Sequence, residues 1–158
     1  MAGSGITNVS NRQLYDQDFY AWANEQAGLL RAGLLSEADI EHIAEEIESM
    51  GKSEKRELVS RLSILLLHLL KWQFQPRRRG ASWEASIANN RDRLEVHLDD
   101  NPSLKSLLPA ALTQAYRYAS RDAEGETGLA KATFPEFCPW TFDQIMDPDF
   151  WLEAVSRP

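Results

Sequence analysis

The chain has 158 residues, a formal net charge of −7, 43% apolar residues and 26% charged ones. This is the size and balance of one folded domain and excludes a disordered chain. The acidic excess disfavours non-specific duplex binding, which rests on neutralising phosphates with Lys and Arg, and the single cysteine, Cys138, excludes an intramolecular disulfide. The charge is uneven. Residues 1–52 hold nine acids and three bases, residues 53–100 seven acids and nine bases, and residues 101–158 eight acids and five bases.

The segment from Met1 to Ser10 lacks the basic start and apolar stretch of a secretory signal. Residues 1–14, rich in Gly, Ser and Asn, read as a flexible lead-in. The densest apolar run, Ile64 to Leu70, is far short of the ~20 residues of a membrane span. A cytoplasmic protein without membrane attachment is expected.

A first helix is predicted from about Asp16 to Arg31, with Phe19, Trp22, Ala23, Leu29 and Leu30 as its apolar positions and Gly33 as its stop. Ser36 and Asp39 have capping-box spacing and open a second helix, whose stripe Ile40, Ile43, Ile47 and Met50 reads as its core-facing side. Gly51 ends or kinks it. A third helix runs from near Ser53 to Gln75, stopped by Pro76. A fourth starts after Ser82 with Trp83, Ile87, Leu94 and Leu98 on one face. Asn101 and Pro102 open a fifth, which Pro109 bends or splits. From Gly128 onward, Pro and aromatic residues without helical period read as an irregular strap with short helical turns. The expected fold is all-α, a helical bundle of about five helices in a single domain over residues 15–153, closed by an aromatic, Pro-rich strap.

The phrases Glu45-Glu-Ile-Glu-Ser-Met-Gly51, Ser60-Arg-Leu-Ser-Ile-Leu-Leu-Leu-His-Leu-Leu-Lys-Trp72, Ser82-Trp83, Pro102-Ser-Leu104, Glu126-Thr-Gly-Leu129 and Phe134-Pro-Glu-Phe-Cys-Pro-Trp140 occur in this order. As an ordered set they resemble the bacterial family catalogued as domain of unknown function 29, across roughly residues 15–153. The resemblance implies a small all-α bacterial protein and brings no catalytic residues with it.

Candidate chemistry centres on the third predicted helix. Glu57, Arg61, His68, Lys71 and Gln75 fall on one stripe of an otherwise apolar element, interrupted only by Ile64. The stripe is either a solvated edge or the wall of a cleft with His68 as its titratable member. Asn90 and Arg91 sit inside the apolar stripe of the fourth helix. A hairpin about residues 76–82 brings Arg91 level with His68 to within ~1.5 Å. Arg91 otherwise needs a buried carboxylate, for which Glu46, Asp122 and Glu126 are the candidates. Arg77, Arg78 and Arg79 lie in the intervening turn beside Lys71. They form a solvated turn or, with His68 and Arg91, an anion-binding corner.

Other chemistries lack a pattern. Asp39-Ile-Glu-His42 occurs once, where a di-iron bundle repeats a carboxylate–histidine motif, and His42 points away from the isoleucine stripe, so no metal site is expected. There is no nucleophile elbow or glycine-rich phosphate loop, and no cofactor is expected. Cys138 between Phe137 and Pro139 reads as a packed thiol. The leading expectation is a non-enzymatic binding or adaptor module with a protein partner or a second copy. The alternative is a ligand-binding protein or enzyme that takes a small anion in the His68–Arg91 cleft.

Overall fold

A computed structural model describes residues 13–151. Most of the lead-in expected over residues 1–14 lies outside the described residues. So do residues 152 and 153 of the strap. The chain divides into two compact units, Met1–Lys52 and Ser53–Pro158. Among the described residues every regular element is helical, with no strand.

In the first unit, residues 13–17 are helical and α1 follows at Phe19–Arg31. The two are separate because Asp18 is an N-cap, its carboxylate accepting from the Ala21 N–H at 3.1 Å. At the other end Leu34 N–H donates to Leu29 O at 2.9 Å and Gly33 N–H to Leu30 O at 3.0 Å. This paired closure needs a left-handed residue, and Gly33 supplies it with φ of 73°.

The next element corrects the sequence reading in two ways. The helix α2 begins at Ile40, and Asp39 caps it in place of Ser36, with Ile43 N–H donating to Asp39 O at 3.0 Å. It then runs unbroken for 35 residues, Ile40–Phe74, so the predicted second and third helices are one. Gly51 keeps negative φ inside it. One glycine costs a helix interior about 1 kcal/mol against alanine, less than breaking a ladder that good helix formers continue on both sides. A Cβ at Gly51 would meet nothing within 4 Å. Gly51→Ala is therefore expected to stabilise the protein by about 0.5–1 kcal/mol, and chemical denaturation checks it. A lowered midpoint would mean that Gly51 is a stop after all.

The second unit is built on the remainder of α2, α3 (Ala81–Asp100), α4 (Leu108–Thr127) and the short α5 (Phe142–Met146). The 3-10 turns Pro76–Arg78, Pro102–Leu107 and Lys131–Thr133 link them. Pro109 falls in the first turn of α4, where a missing N–H costs nothing, and the predicted fifth helix is split there into the 3-10 turn Pro102–Leu107 and α4. Gly128, with φ of 70°, closes it. Leu58, Leu62, Leu65, Leu66, Leu69 and Leu70 of α2 are fully buried. They pack in one cluster with Ile87 and Leu94 of α3, Ala111, Ala115, Ala119 and Ala123 of α4, and Phe134, Trp140 and Ile145 of the strap. The strap is packed as the sequence suggested, and Thr141 with Gln144 forms a reciprocal capping box at α5.

Candidate functional site

The structure gives several residues of the predicted basic corner partners of their own. Lys71 Nζ pairs with Glu126 Oε2 at 2.8 Å and lies over the Trp83 ring at 5.0 Å. Arg79 donates to Trp72 O at 2.7 Å and covers that indole at 5.0 Å. Arg77 and Arg78 are exposed, and Gln75 is half-buried. His68 is half-buried, with Nδ1 at 2.8 Å from Ile64 O and 3.4 Å from Ser86 Oγ. Asn90 is buried and donates to Ser86 O at 2.8 Å. The stripe is thus a shallow seam along α2 and α3, and its other polar members pair locally, as Arg61 does with Glu57 at 2.6 Å.

Arg91 is buried, as its position in an apolar stripe implied, but no carboxylate holds it. Its Nε donates to Ile145 O at 2.8 Å and its Nη2 to Phe150 O at 3.0 Å, with the Trp151 ring 5.5 Å from the guanidinium carbon. Burial lowers its pKa, opposed by Asp147. The carboxylates offered as buried partners lie elsewhere. Asp122 and Glu126 are exposed, and Glu46 is half-buried. A guanidinium fork fits two backbone carbonyls as well as one carboxylate. Arg91 fastens the strap and shares no hydrogen bond with His68.

Cys138 is half-buried, its Sγ 3.5 Å from Trp140 O, and burial raises its pKa, opposed by that backbone contact. This keeps the thiol protonated and unreactive.

The first unit holds the polar cluster that the sequence reading missed. At 100° per residue, Asp39, His42 and Glu46 share one side of α2, and this side, not the isoleucine stripe, packs against α1 and the preceding turn. His42 Nδ1 lies 2.7 Å from Asp39 Oδ2, which also accepts from Trp22 Nε1 at 3.1 Å. Asp39 N–H donates to Gln26 Oε1 at 2.7 Å. The Tyr15 ring stacks on the imidazole at 4.0 Å and its hydroxyl donates to Glu46. That bond, then burial and the charges of Glu46, Glu45 and Asp16, pushes the phenol up to about 12. His42 is thus an inward residue, and the Asp-x-x-His spacing is a hydrogen-bonded clamp on the helix start. Among the described residues no group of three His, Cys, Asp or Glu side chains is placed to hold a metal.

Burial drives the Asp39 carboxyl up, but its hydrogen bonds from His42 and Trp22 outweigh that and leave it below the usual range. With the folded value depressed, its stabilisation is complete above about pH 4 and is lost as pH falls through the folded value. Asp39→Asn is expected to flatten the acid limb of unfolding, followed by the Trp22 indole N–H resonance. An unchanged acid limb in the variant would show that the clamp contributes nothing.

With its polar side turned inward, α2 turns its apolar stripe outward. Ile40, Ile47 and Met50 are 52%, 64% and 68% exposed. Glu46 borders this stripe beside Ile43 and Met50, while Glu41 and Glu48 lie on the opposite side of the helix. Among the described residues of the first unit only Trp22, Gln26, Ala38 and Asp39 are buried. So thin a core leaves apolar surface that a partner can cover.

The model of the family described as Domain of unknown function DUF29 matches residues 14–151. No curated protein and no solved structure matches the chain. Among the described residues no helix is long and apolar enough to cross a membrane.

Proposed function

This chain belongs to the DUF29 family, and we propose that it is a non-enzymatic binding module that receives a basic amphipathic helix along the Ile40–Met50 stripe. The observation that carries the reading is the exposed stripe itself. Ile40, Ile43, Ile47 and Met50 follow three-four-three spacing, the pattern by which one helix seats another. The acidic excess of the segment selects the occupant. A second copy would set acid against acid, in a segment with nine acids and three bases over residues 1–52. A helix with Lys or Arg beside its apolar seam instead meets charges of opposite sign. Covering four side chains that are already partly shielded contributes about 4–6 kcal/mol, and association costs are of similar size. Micromolar affinity and a marked salt dependence are therefore expected.

The test uses a synthetic amphipathic peptide with leucines in the seam and lysines beside it, and its twin with glutamates in place of the lysines. Fluorescence anisotropy should show saturable binding of the first and little of the second. Ile47→Asp should weaken the first by at least about tenfold, without changing the circular dichroism of the protein, because Ile47 is exposed. Equal binding of both peptides, or full binding by the variant, would sink the reading. Concentration-dependent dimerisation abolished by Ile47→Asp would overturn it in favour of a second copy. The alternative of a small-ligand cleft between α2 and α3 is less well supported, because Arg91 is engaged by the carbonyls of Ile145 and Phe150.

A further inference from the structure

The second unit has a cleft of about 940 Å³ whose lining includes no residue of the His68 seam. One wall is the flank of α4, where Arg117, Ser120, Arg121 and Glu124 share one side of the helix over two turns. The other is the chain after Gly128, which turns back and lays Lys131, Phe134, Pro135 and Glu136 opposite them. This wall is fixed in place. Thr127 Oγ1 donates to Ala123 O at 2.6 Å and accepts from Leu129 N–H at 3.1 Å, which sets the exit from α4. The Tyr116 hydroxyl donates to Pro135 O, and buried Phe134 meets the Phe74 ring edge-on at 5.2 Å. The volume lies in the range of small-molecule sites, about 300–1,000 Å³.

The charges around it are unspent. Lys71 and Arg61 have carboxylate partners, and Arg79 and Arg91 have carbonyls. Among the described residues the side chains of Arg117, Arg121 and Lys131 make no hydrogen bond or ion pair, and neither do those of Glu124 and Glu136. Three free cations against two carboxylates leave this cleft with a net charge of +1 in a protein of net charge −7.

We propose that this cleft binds an organic phosphate the size of a sugar phosphate. Arg117 and Arg121 are neighbours one turn apart, so their two forks can take one tetrahedral oxyanion from the helix side, with Lys131 as a point charge facing them. Phe134 and Pro135 give the body of the ligand an apolar platform. Glu124 and Glu136 accept hydrogen bonds from its hydroxyl groups. They also discriminate: two carboxylates at the same cleft repel a phosphate polymer, which sets a small ligand above a nucleic acid.

Titration calorimetry and ¹⁵N-edited NMR of the full chain with ribose 5-phosphate, inorganic phosphate and ribose test this. Ribose 5-phosphate should bind saturably and tighter than inorganic phosphate, with shifts at residues 117–136, and ribose alone should not bind. The double variant Arg117→Gln/Arg121→Gln should lose at least about tenfold in affinity. Both side chains are exposed and unpaired, so its thermal midpoint should stay within a degree or two. Arg77→Gln/Arg78→Gln, on the exposed turn Pro76–Arg78 that does not line the cleft, should bind as the parent does. No saturable binding, or equal binding by the Arg117/Arg121 variant, would overturn the site. Inorganic phosphate binding as tightly as the sugar phosphate would overturn its assignment to an organic phosphate. An acidic peptide that binds while ribose 5-phosphate does not would overturn it in favour of a peptide groove.

Discussion

Leu66→Ala is expected to lower the unfolding free energy by about 2–5 kcal/mol, measured by urea denaturation. Leu66 is fully buried at the centre of the α2 cluster, among Leu62, Leu65, Leu69 and Leu70. Removing its branched end loses the transfer energy of three carbons and leaves a cavity that helices on all sides resist collapsing into. Ile64→Ala, two residues away but 41% exposed, should cost much less. A loss below about half a kcal/mol at Leu66, within the spread of surface substitutions, would show that the second half of α2 is not the core of its unit.

Arg91→Ala should cost about 3 kcal/mol or more and free the segment 145–151. The guanidinium holds two backbone carbonyls from residues five apart in sequence, Ile145 and Phe150, and stands over the Trp151 ring. Truncation leaves both oxygens without their donor, and the strap loses its charged fastening. Arg91→Lys should rescue little, because one ammonium cannot reproduce the fork and the stacked plane together. Limited proteolysis is a direct readout: new cleavage should appear between residues 141 and 151 in both variants while the α2 cluster stays protected. Wild-type resistance in the lysine variant would reduce Arg91 to a simple point charge.

The helical class, the Gly33 stop, the apolar helix ending before Pro76 and the packed aromatic strap are all local matters, and they were legible in the sequence. Periodicity, capping chemistry and left-handed glycines act within a few residues of chain, so the one-dimensional pattern contains their cause. Gly51 was ambiguous for the same reason. A glycine is compatible with both a stop and a costly helix interior, and only the neighbouring turns decide between them.

Burial of a particular side is not local. The stripe Ile40, Ile43, Ile47 and Met50 has the spacing of a core-facing side, yet α1 packs against the side carrying Asp39, His42 and Glu46. Trp22 supplies a hydrogen bond to Asp39 and Tyr15 a ring to His42. An inward polar side is stable only because each group finds a partner from another element, and such pairing is invisible until the elements meet. Arg91 shows the same limit: its burial was legible, but its acceptors are carbonyls more than fifty residues away, and every residue carries a carbonyl. The cleft beside Arg117, Arg121 and Lys131 had no sequence signal, since three bases spread over fifteen residues acquire meaning only when the chain turns back at Gly128. The sequence by itself determined which segments are helical and that Gly33 and Pro76 stop two of them, through forces that act over a turn. The tertiary structure alone decided which sides are covered and which charges remain unpaired, because burial and pairing depend on what the rest of the chain brings alongside.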